Sequence, residues 1–135
     1  MTLILIVSTL SIMIFYSAVI TVNIHRTLDR ENAGKALRVL FPSYFLTISI
    51  ISFMALITSI INIDIFSSVL LSLVFLGSVY SRQYLVPQIN KARDLQVSGD
   101  IASKKTFSRI HGLSVSINLI QMIILIILVT KSILG

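Results

Sequence analysis

Residues 110–130 read IHGLSVSINLIQMIILIILVT and contain no Asp, Glu, Lys or Arg. A helix needs about 20 mostly apolar residues to cross the hydrocarbon layer of a bilayer, and this stretch is long enough. Residues 1–24, 39–63 and 65–81 are also free of charge, and the last of these is long enough if Arg82 extends to the lipid headgroups. The sequence therefore predicts four membrane spans, at about residues 3–22, 43–61, 66–86 and 110–130.

The composition is typical of a membrane protein. Hydrophobic residues make up 56% of the chain and charged residues only 12%, whereas soluble domains carry about 25% charged residues. The gaps between spans are too short for a separate soluble domain, so we expect one all-α domain over residues 1–135, an integral membrane four-helix bundle. Cysteine is absent, which excludes disulfides, thiolate metal sites and cysteine nucleophiles.

The first charge-free run has a rival interpretation as a cleaved signal peptide. Such peptides begin with basic residues and have an apolar stretch of about 7–15 residues. Here no Lys or Arg precedes Arg26, and the apolar stretch is longer. We therefore expect a retained first span.

Basic residues are distributed very unevenly between the two sides of the predicted bundle. One side carries ten of them: Arg26, Arg30, Lys35, Arg38, Arg82, Lys91, Arg93, Lys104, Lys105 and Arg109. The other side carries Lys131 alone. Short loops rich in Lys and Arg stay in the cytoplasm, so both termini are expected outside, and the net charge of +6 is assigned to topology and not to nucleic-acid binding. The expected location is a cell membrane, and the isoleucine-rich composition points to a bacterial inner membrane.

Local signals add detail between the spans. Ala33, Leu37, Leu40 and Phe41 repeat at helical spacing, which predicts a short amphipathic inner helix on the membrane surface between spans 1 and 2; a plain polar loop is the alternative. Pro42 suits the first turn of a helix, where its missing N–H costs nothing.

Three further features concern the helix ends. Tyr44 and Phe45 follow Pro42 at the position expected of interfacial aromatics. Residues 62–64 allow only a tight turn, so spans 2 and 3 are expected to be antiparallel neighbours. Gly99 and Asp100 predict that spans 3 and 4 continue as helices beyond the membrane and meet there, because Gly ends helices and Asp caps the next one.

Polar residues of the fourth span share one helical face. They are His111, Ser114, Asn118 and Gln121, spaced by three, four and three residues. Such a face either joins helices by hydrogen bonds or forms the wall of a polar pocket open to the cytoplasm. Arg82 on the third span lies at a similar depth, and we hypothesise that it donates to Ser114 or Asn118.

Other chemistry has little support in the sequence. His25 and His111 both lie at the inner ends of their spans, so a haem or metal site is conceivable, although no Cys, Asp or Glu reinforces the pair at ligand spacing. No span contains Asp, Glu or Lys, which disfavours an ion-coupled transporter. Phosphate-binding glycine loops and nucleophile elbows are absent. We therefore expect no enzyme, no resident cofactor and no metal.

Two blocks of sequence resemble the transmembrane protein 205-like family. The first is LDRENAGKALR at residues 28–38 followed by LFPSY at 40–44. The second combines PQIN at 87–90, RD at 93–94 and GD at 99–100 with Phe107, His111, Ser114 and Asn118. The resemblance implies a small four-helix membrane protein with no established activity among bacterial members.

The resemblance also implies a set of motif residues on the inner face: Arg30, Gly34, Arg38, Pro42, Pro87, Arg93, Asp94, His111 and Asn118. One departure is that Val22 and His25 stand where the family has a Pro and a Phe, which puts in doubt any function tied to a kinked first helix.

Together these observations predict a non-enzymatic integral membrane protein whose working surface is its cytoplasmic side. It is expected to act as a subunit, with other membrane proteins or a second copy as partners besides the lipid bilayer, or as a small-solute binding bundle. Surface contacts are expected from Arg30, Arg38, Arg93 and Asp94, and the pocket wall from Arg82, His111, Ser114, Asn118 and Gln121. The haem- or metal-handling redox protein that uses His25 and His111 is the alternative.

Overall fold

The computed structural model describes all residues 1–135 and contains four long helices and no β-strand. The helices are α1 (Thr2–Thr27), α2 (Arg30–Ile61), α3 (Ile65–Val97) and α4 (Ala102–Leu134), and each is long and apolar enough to cross a membrane. This confirms the predicted all-α class with four long apolar helices, which is compatible with a multi-pass membrane protein. Each predicted span lies within one of these helices.

Helix α2 begins earlier in the chain than the sequence predicted. It runs from Arg30 to Ile61 without a break, so the short amphipathic helix predicted between spans 1 and 2 is not a separate element but the first three turns of α2. Its apolar face does not lie flat on a membrane, because Ala33, Gly34 and Leu37 are buried within the protein. Pro42 is therefore inside a helix and not in a first turn.

The four helices form a ring in which α1 contacts α2, α2 contacts α3, α3 contacts α4, and α4 closes back onto α1. The core side chains come from all four helices: Ile6, Met13, Tyr44, Phe45, Ile48, Ala55, Leu71, Val74, Val86, Leu125 and Leu128. Large apolar side chains also cover much of the outside. In lipid the hydrophobic effect does not favour one face over another, so helix association depends on close packing and hydrogen bonds.

The turns between the helices are tight. Helix α3 ends at Val97, Gly99 has a φ of +95°, and a carboxylate oxygen of Asp100 accepts a hydrogen bond from the Ala102 N–H at 3.0 Å. This confirms that the third and fourth helices meet at Gly99. The turn at residues 62–64 joins antiparallel α2 and α3, as predicted.

Two helices contain one turn of π-helix each. These turns are Tyr16–Ile20 in α1 and Ser81–Leu85 in α3. Single π turns inside α-helices often occur at functional sites. Both lie toward the end of the bundle that carries the ten basic residues, which we call the basic end.

At the opposite end, Lys131 joins α4 to the turn between α2 and α3. Its Nζ lies 2.6 and 2.7 Å from the two carboxylate oxygens of Asp64 and 3.1 Å from Ser67 Oγ. It also lies 5.2 Å from the centroid of the Phe66 ring. The only basic residue of this end is therefore paired with the acid that caps α3.

The Asp64–Lys131 pair predicts a dependence of stability on pH. Hydrogen bonds from Lys131 and then Ser67 lower the pKa of Asp64 to about 2. A lowered carboxyl pKa stabilises the fold above the usual value near 3.8, and this stabilisation is lost as the pH falls toward 2. We expect the unfolding midpoint of the detergent-solubilised protein to fall over this range. The fall should be smaller in Lys131→Met and unchanged in the control Lys104→Met, which removes a charge that forms no ion pair. An equal fall in Lys131→Met and wild type would contradict this assignment.

Candidate functional site

Asn118 connects three helices near the centre of the bundle. Its side-chain oxygen accepts a hydrogen bond from the Tyr44 hydroxyl at 2.7 Å, and its nitrogen donates to Ser17 Oγ at 3.2 Å. The bond to Tyr44 joins α4 to α2, which are not neighbours in the ring, so it crosses the bundle interior. Both polar ends of Asn118 are used to hold helices together.

Gln121 makes a second contact one turn away, between α4 and α3. Its Nε2 donates to the Val74 carbonyl at 2.7 Å and to Ser78 Oγ at 3.0 Å. Gly77 lies opposite, and a Cβ added there would be only 2.8 Å from this nitrogen. The two helices therefore approach closely because residue 77 has no side chain.

The other members of the predicted pocket wall lie elsewhere. Ser114 is buried in the bundle, whereas His111 lies at the basic end and stacks on Phe107 with ring centroids 5.7 Å apart. Asn118, Gln121 and His111 thus make separate contacts.

The prediction that Arg82 donates a hydrogen bond to Ser114 or Asn118 is wrong. Its Nε donates to the Pro42 carbonyl of α2 at 3.3 Å, and it makes no hydrogen bond to Ser114 or Asn118. Ser81 occupies the fully buried face of α3. Arg82 is the next residue in the π-helical turn, and it therefore lies beside this buried face, on the side of α3 that contacts α2.

Aromatic residues in the interior were missed by the sequence prediction. Tyr44 is buried instead of interfacial, and the Tyr16 ring stacks on it with centroids 4.2 Å apart. The Tyr16 hydroxyl, Ser81 Oγ and Gln121 Oε1 are buried without a hydrogen-bond partner. Tyr16 lies well inside the predicted first span, away from the interface that tyrosines usually prefer, and this is the one signal in the sequence that indicates an interior role.

Arg93 is held in place at the basic end. Its Nη1 donates to the Gly34 carbonyl of α2 at 3.0 Å, and its guanidinium carbon lies 5.6 Å from the centroid of the Phe107 ring of α4. A Cβ on Gly34 would lie 3.3 Å from Arg93 Cδ, so Gly34 leaves room for the arginine stem. Arg93 thus bridges three helices.

Other charged residues surround Arg93. Burial lowers the pKa of its guanidinium, the positive charges of Arg38 and Arg30 lower it further, and Asp94 raises it. Asp94 forms an ion pair with Arg38. The nearby titratable residues of His111 are Arg93 and His25. We call this set the basic cluster: His25, Arg30, Arg38, Arg93, Asp94, Phe107 and His111.

The basic cluster brings together the four predicted surface residues and His111, whereas Asn118 and Gln121 lie deeper in the bundle. His25 and His111 are neighbours, but the chain contains no group of three or more His, Cys, Asp or Glu residues that would hold a metal ion. The cluster contains no nucleophile paired with a base. Its chemistry is that of positive charge and aromatic rings.

Comparison with known proteins identifies a family but no activity. A family model described as a domain of unknown function, DUF4149, matches residues 4–98, which cover α1 except its first two residues and all of α2 and α3. Searches of curated proteins and of solved structures found no significant match. The transmembrane protein 205-like name suggested by the two sequence blocks is not confirmed. Since the matched segment covers well over half of the chain, the protein belongs to the DUF4149 family, whose function is unknown.

Proposed function

We propose that this protein is a non-enzymatic multi-pass membrane protein that binds a small solute or a partner subunit at its basic end, with that end in the cytoplasm. The uneven distribution of Lys and Arg supports the orientation, because basic short loops remain cytoplasmic. Both termini then lie on the other side of the membrane.

The observation that carries the proposal is the difference between the two groups of polar residues. Inside the bundle, Asn118 and Gln121 are occupied by bonds to other helices. At the basic end, Arg30 is exposed and forms no hydrogen bond or ion pair, and Arg93 has only one of its three guanidinium nitrogens hydrogen-bonded. Arginine side chains that the protein itself leaves wholly or partly unbonded are available to bind a solute or a partner.

The haem or metal alternative has less support. It rests on His25 and His111, and no third ligand of a usual type completes the pair. His111 is also stacked almost parallel to the Phe107 ring, at an interplanar angle of 5°. No observation favours this function over binding at the basic cluster.

The proposal can be tested with single cysteines, because the chain has none of its own. Ser108→Cys, beside Phe107, reports on the basic end, and Ser132→Cys is the matched control at the opposite end; both serines are exposed. In intact cells, a membrane-impermeant maleimide should label Ser132→Cys and not Ser108→Cys. Labelling of Ser108→Cys alone would show that the basic end faces outward and would contradict the proposed orientation.

The same variants test the binding surface. In opened native membranes, an endogenous ligand or partner should slow labelling of Ser108→Cys severalfold relative to the purified protein, whereas Ser132→Cys should label alike in both. Equal slowing at the two positions would reflect the membrane itself and would contradict a specific surface at the basic end.

A further inference from the structure

The basic cluster concentrates positive charge that the chain does not neutralise. Around Arg93 the charged neighbours are Arg38, Arg30 and Asp94, and Asp94 is already paired with Arg38. The three arginines of the cluster therefore outnumber its single carboxylate. An added ligand that balances this charge must be an anion.

The cluster contains an arginine that is held in place by the protein, which is not needed when basic residues only set the orientation in the membrane. Lys91, Lys104 and Lys105 are exposed and form no side-chain hydrogen bond or ion pair. Arg93, in contrast, is anchored by the Gly34 carbonyl and the Phe107 ring. An arginine that is already positioned loses less conformational freedom when it binds a ligand.

The chemistry of the side chains favours phosphate among anions. A guanidinium presents five N–H donors in a planar fork that matches the oxygens of a phosphate group, and Arg93 uses Nη1 for Gly34. Arg30 uses none of its donors, and Arg38 is bonded to one carboxylate. Arg30 and Arg38 lie one helical turn either side of Gly34, whose carbonyl holds Arg93, so the free donors of the three arginines belong to one region of the surface.

The depth of the cluster fits a ligand at the membrane surface. His111 lies at the predicted start of the fourth span, and Arg93 lies seven residues beyond the predicted third span, which corresponds to about 10 Å of helix. Headgroups extend about 5–7 Å beyond the hydrocarbon layer on each side. The cluster thus lies at or just beyond the headgroups, where lipid phosphates and soluble phosphates both reach.

We propose that the basic cluster is a binding site for a phosphate-bearing anion, in which Arg30, Arg38 and Arg93 contact the phosphate oxygens. This inference rests on the proposed function, which makes the basic end the working surface, and adds the chemical class of the ligand. The source is either the headgroup of an anionic lipid or a soluble phosphate compound.

The test uses the full chain in an uncharged detergent and follows its thermal unfolding by circular dichroism. A ligand that binds only the folded protein raises the unfolding midpoint as its concentration increases. The probes are dihexanoyl phosphatidic acid, its phosphatidylcholine analogue as the control lipid, and sodium phosphate, each compared with sodium chloride at equal ionic strength. We expect phosphatidic acid or sodium phosphate to raise the midpoint more than the controls do.

Two variants with opposite expected effects separate specific binding from misfolding. Arg30→Gln removes an exposed charge with no bonds to the protein, and it should raise the half-saturating concentration by about threefold to tenfold, as expected for one charge acting over several ångströms near water. Asp94→Asn removes the only carboxylate of the cluster and releases Arg38, and it should lower that concentration. A misfolded variant does not bind more tightly. Lys104→Gln, which removes a charge outside the cluster, should have no effect.

The outcomes are distinct. If only phosphatidic acid stabilises the protein, the source is a lipid headgroup; if sodium phosphate acts at similar concentrations, the source is a soluble phosphate. The proposal is overturned if neither probe acts, if Asp94→Asn binds no more tightly than wild type, or if Lys104→Gln weakens binding as much as Arg30→Gln. Protection of Ser108→Cys in membranes without any phosphate binding would reject this inference and leave the proposed working surface standing.

Discussion

Replacing Gly77 with alanine should destabilise the bundle by about 1–3 kcal/mol, the usual cost of forcing an extra methyl group into a packed interior. The new Cβ would lie 2.8 Å from Gln121 Nε2, which is closer than two such atoms can approach. Gln121 cannot simply move aside, because this nitrogen is held by the Val74 carbonyl and Ser78 Oγ. The effect can be measured by unfolding the protein in mixed micelles with increasing denaturing detergent.

A matched control is available on α4. A Cβ on Gly112 would meet no atom within 4 Å, so Gly112→Ala should not destabilise the protein and should stabilise the helix by about 0.5–1 kcal/mol. Adding Gln121→Ala to Gly77→Ala should remove much of the steric cost, so the two changes should be strongly non-additive. Equal effects of Gly77→Ala and Gly112→Ala would show that α3 and α4 do not meet as described.

Replacing Asn118 with leucine should cost about 1–3 kcal/mol, because it leaves the buried Tyr44 hydroxyl without a partner. It also removes the bond to Ser17. Interhelical hydrogen bonds in membranes contribute about 0.6 kcal/mol on average, so two lost bonds alone explain only the lower part of this range. The remainder comes from the unpaired hydroxyl. The same unfolding experiment measures it.

A variant of Tyr44 tests whether the loss of stability in Asn118→Leu comes from the unpaired hydroxyl. Once Tyr44→Phe has removed the hydroxyl, Asn118→Leu should be less harmful than it is in the wild type. Asn23→Leu is the control for the same change of residue type, since Asn23 is exposed and bonds only to the Val19 carbonyl of its own helix; it should have little effect. Additive losses from Tyr44→Phe and Asn118→Leu would contradict a direct bond between the two side chains.

The helices and their turns could be predicted because their signals are local. Charge-free runs of sufficient length mark the four helices, and Gly99 with Asp100 marks the junction of α3 and α4. Most residues of the basic cluster were singled out because two sequence blocks resemble a known family, whose motif residues were expected on the inner face. Their mutual contacts were not predicted, because Arg93, Gly34 and Phe107 come from three different helices.

Predictions failed where the answer depended on the rotation of a helix or on its neighbours. Arg82 was expected to face α4 but bonds to Pro42 on α2. Tyr44 was expected at the interface but lies in the core, bonded to Asn118. The residues before Pro42 were expected to form a separate helix, but they continue into α2 because the protein itself buries their apolar face.

The number of helices and their order thus follow from the chain alone, since the length of an apolar run requires no knowledge of neighbouring helices. The tertiary structure was needed to show which side of each helix faces inward. Lipid is as apolar as a leucine side chain, so the spans carry apolar residues all round and their periodicity does not distinguish the two sides. Close contacts such as Gly77 with Gln121, and bonds such as Tyr44 with Asn118, make that choice.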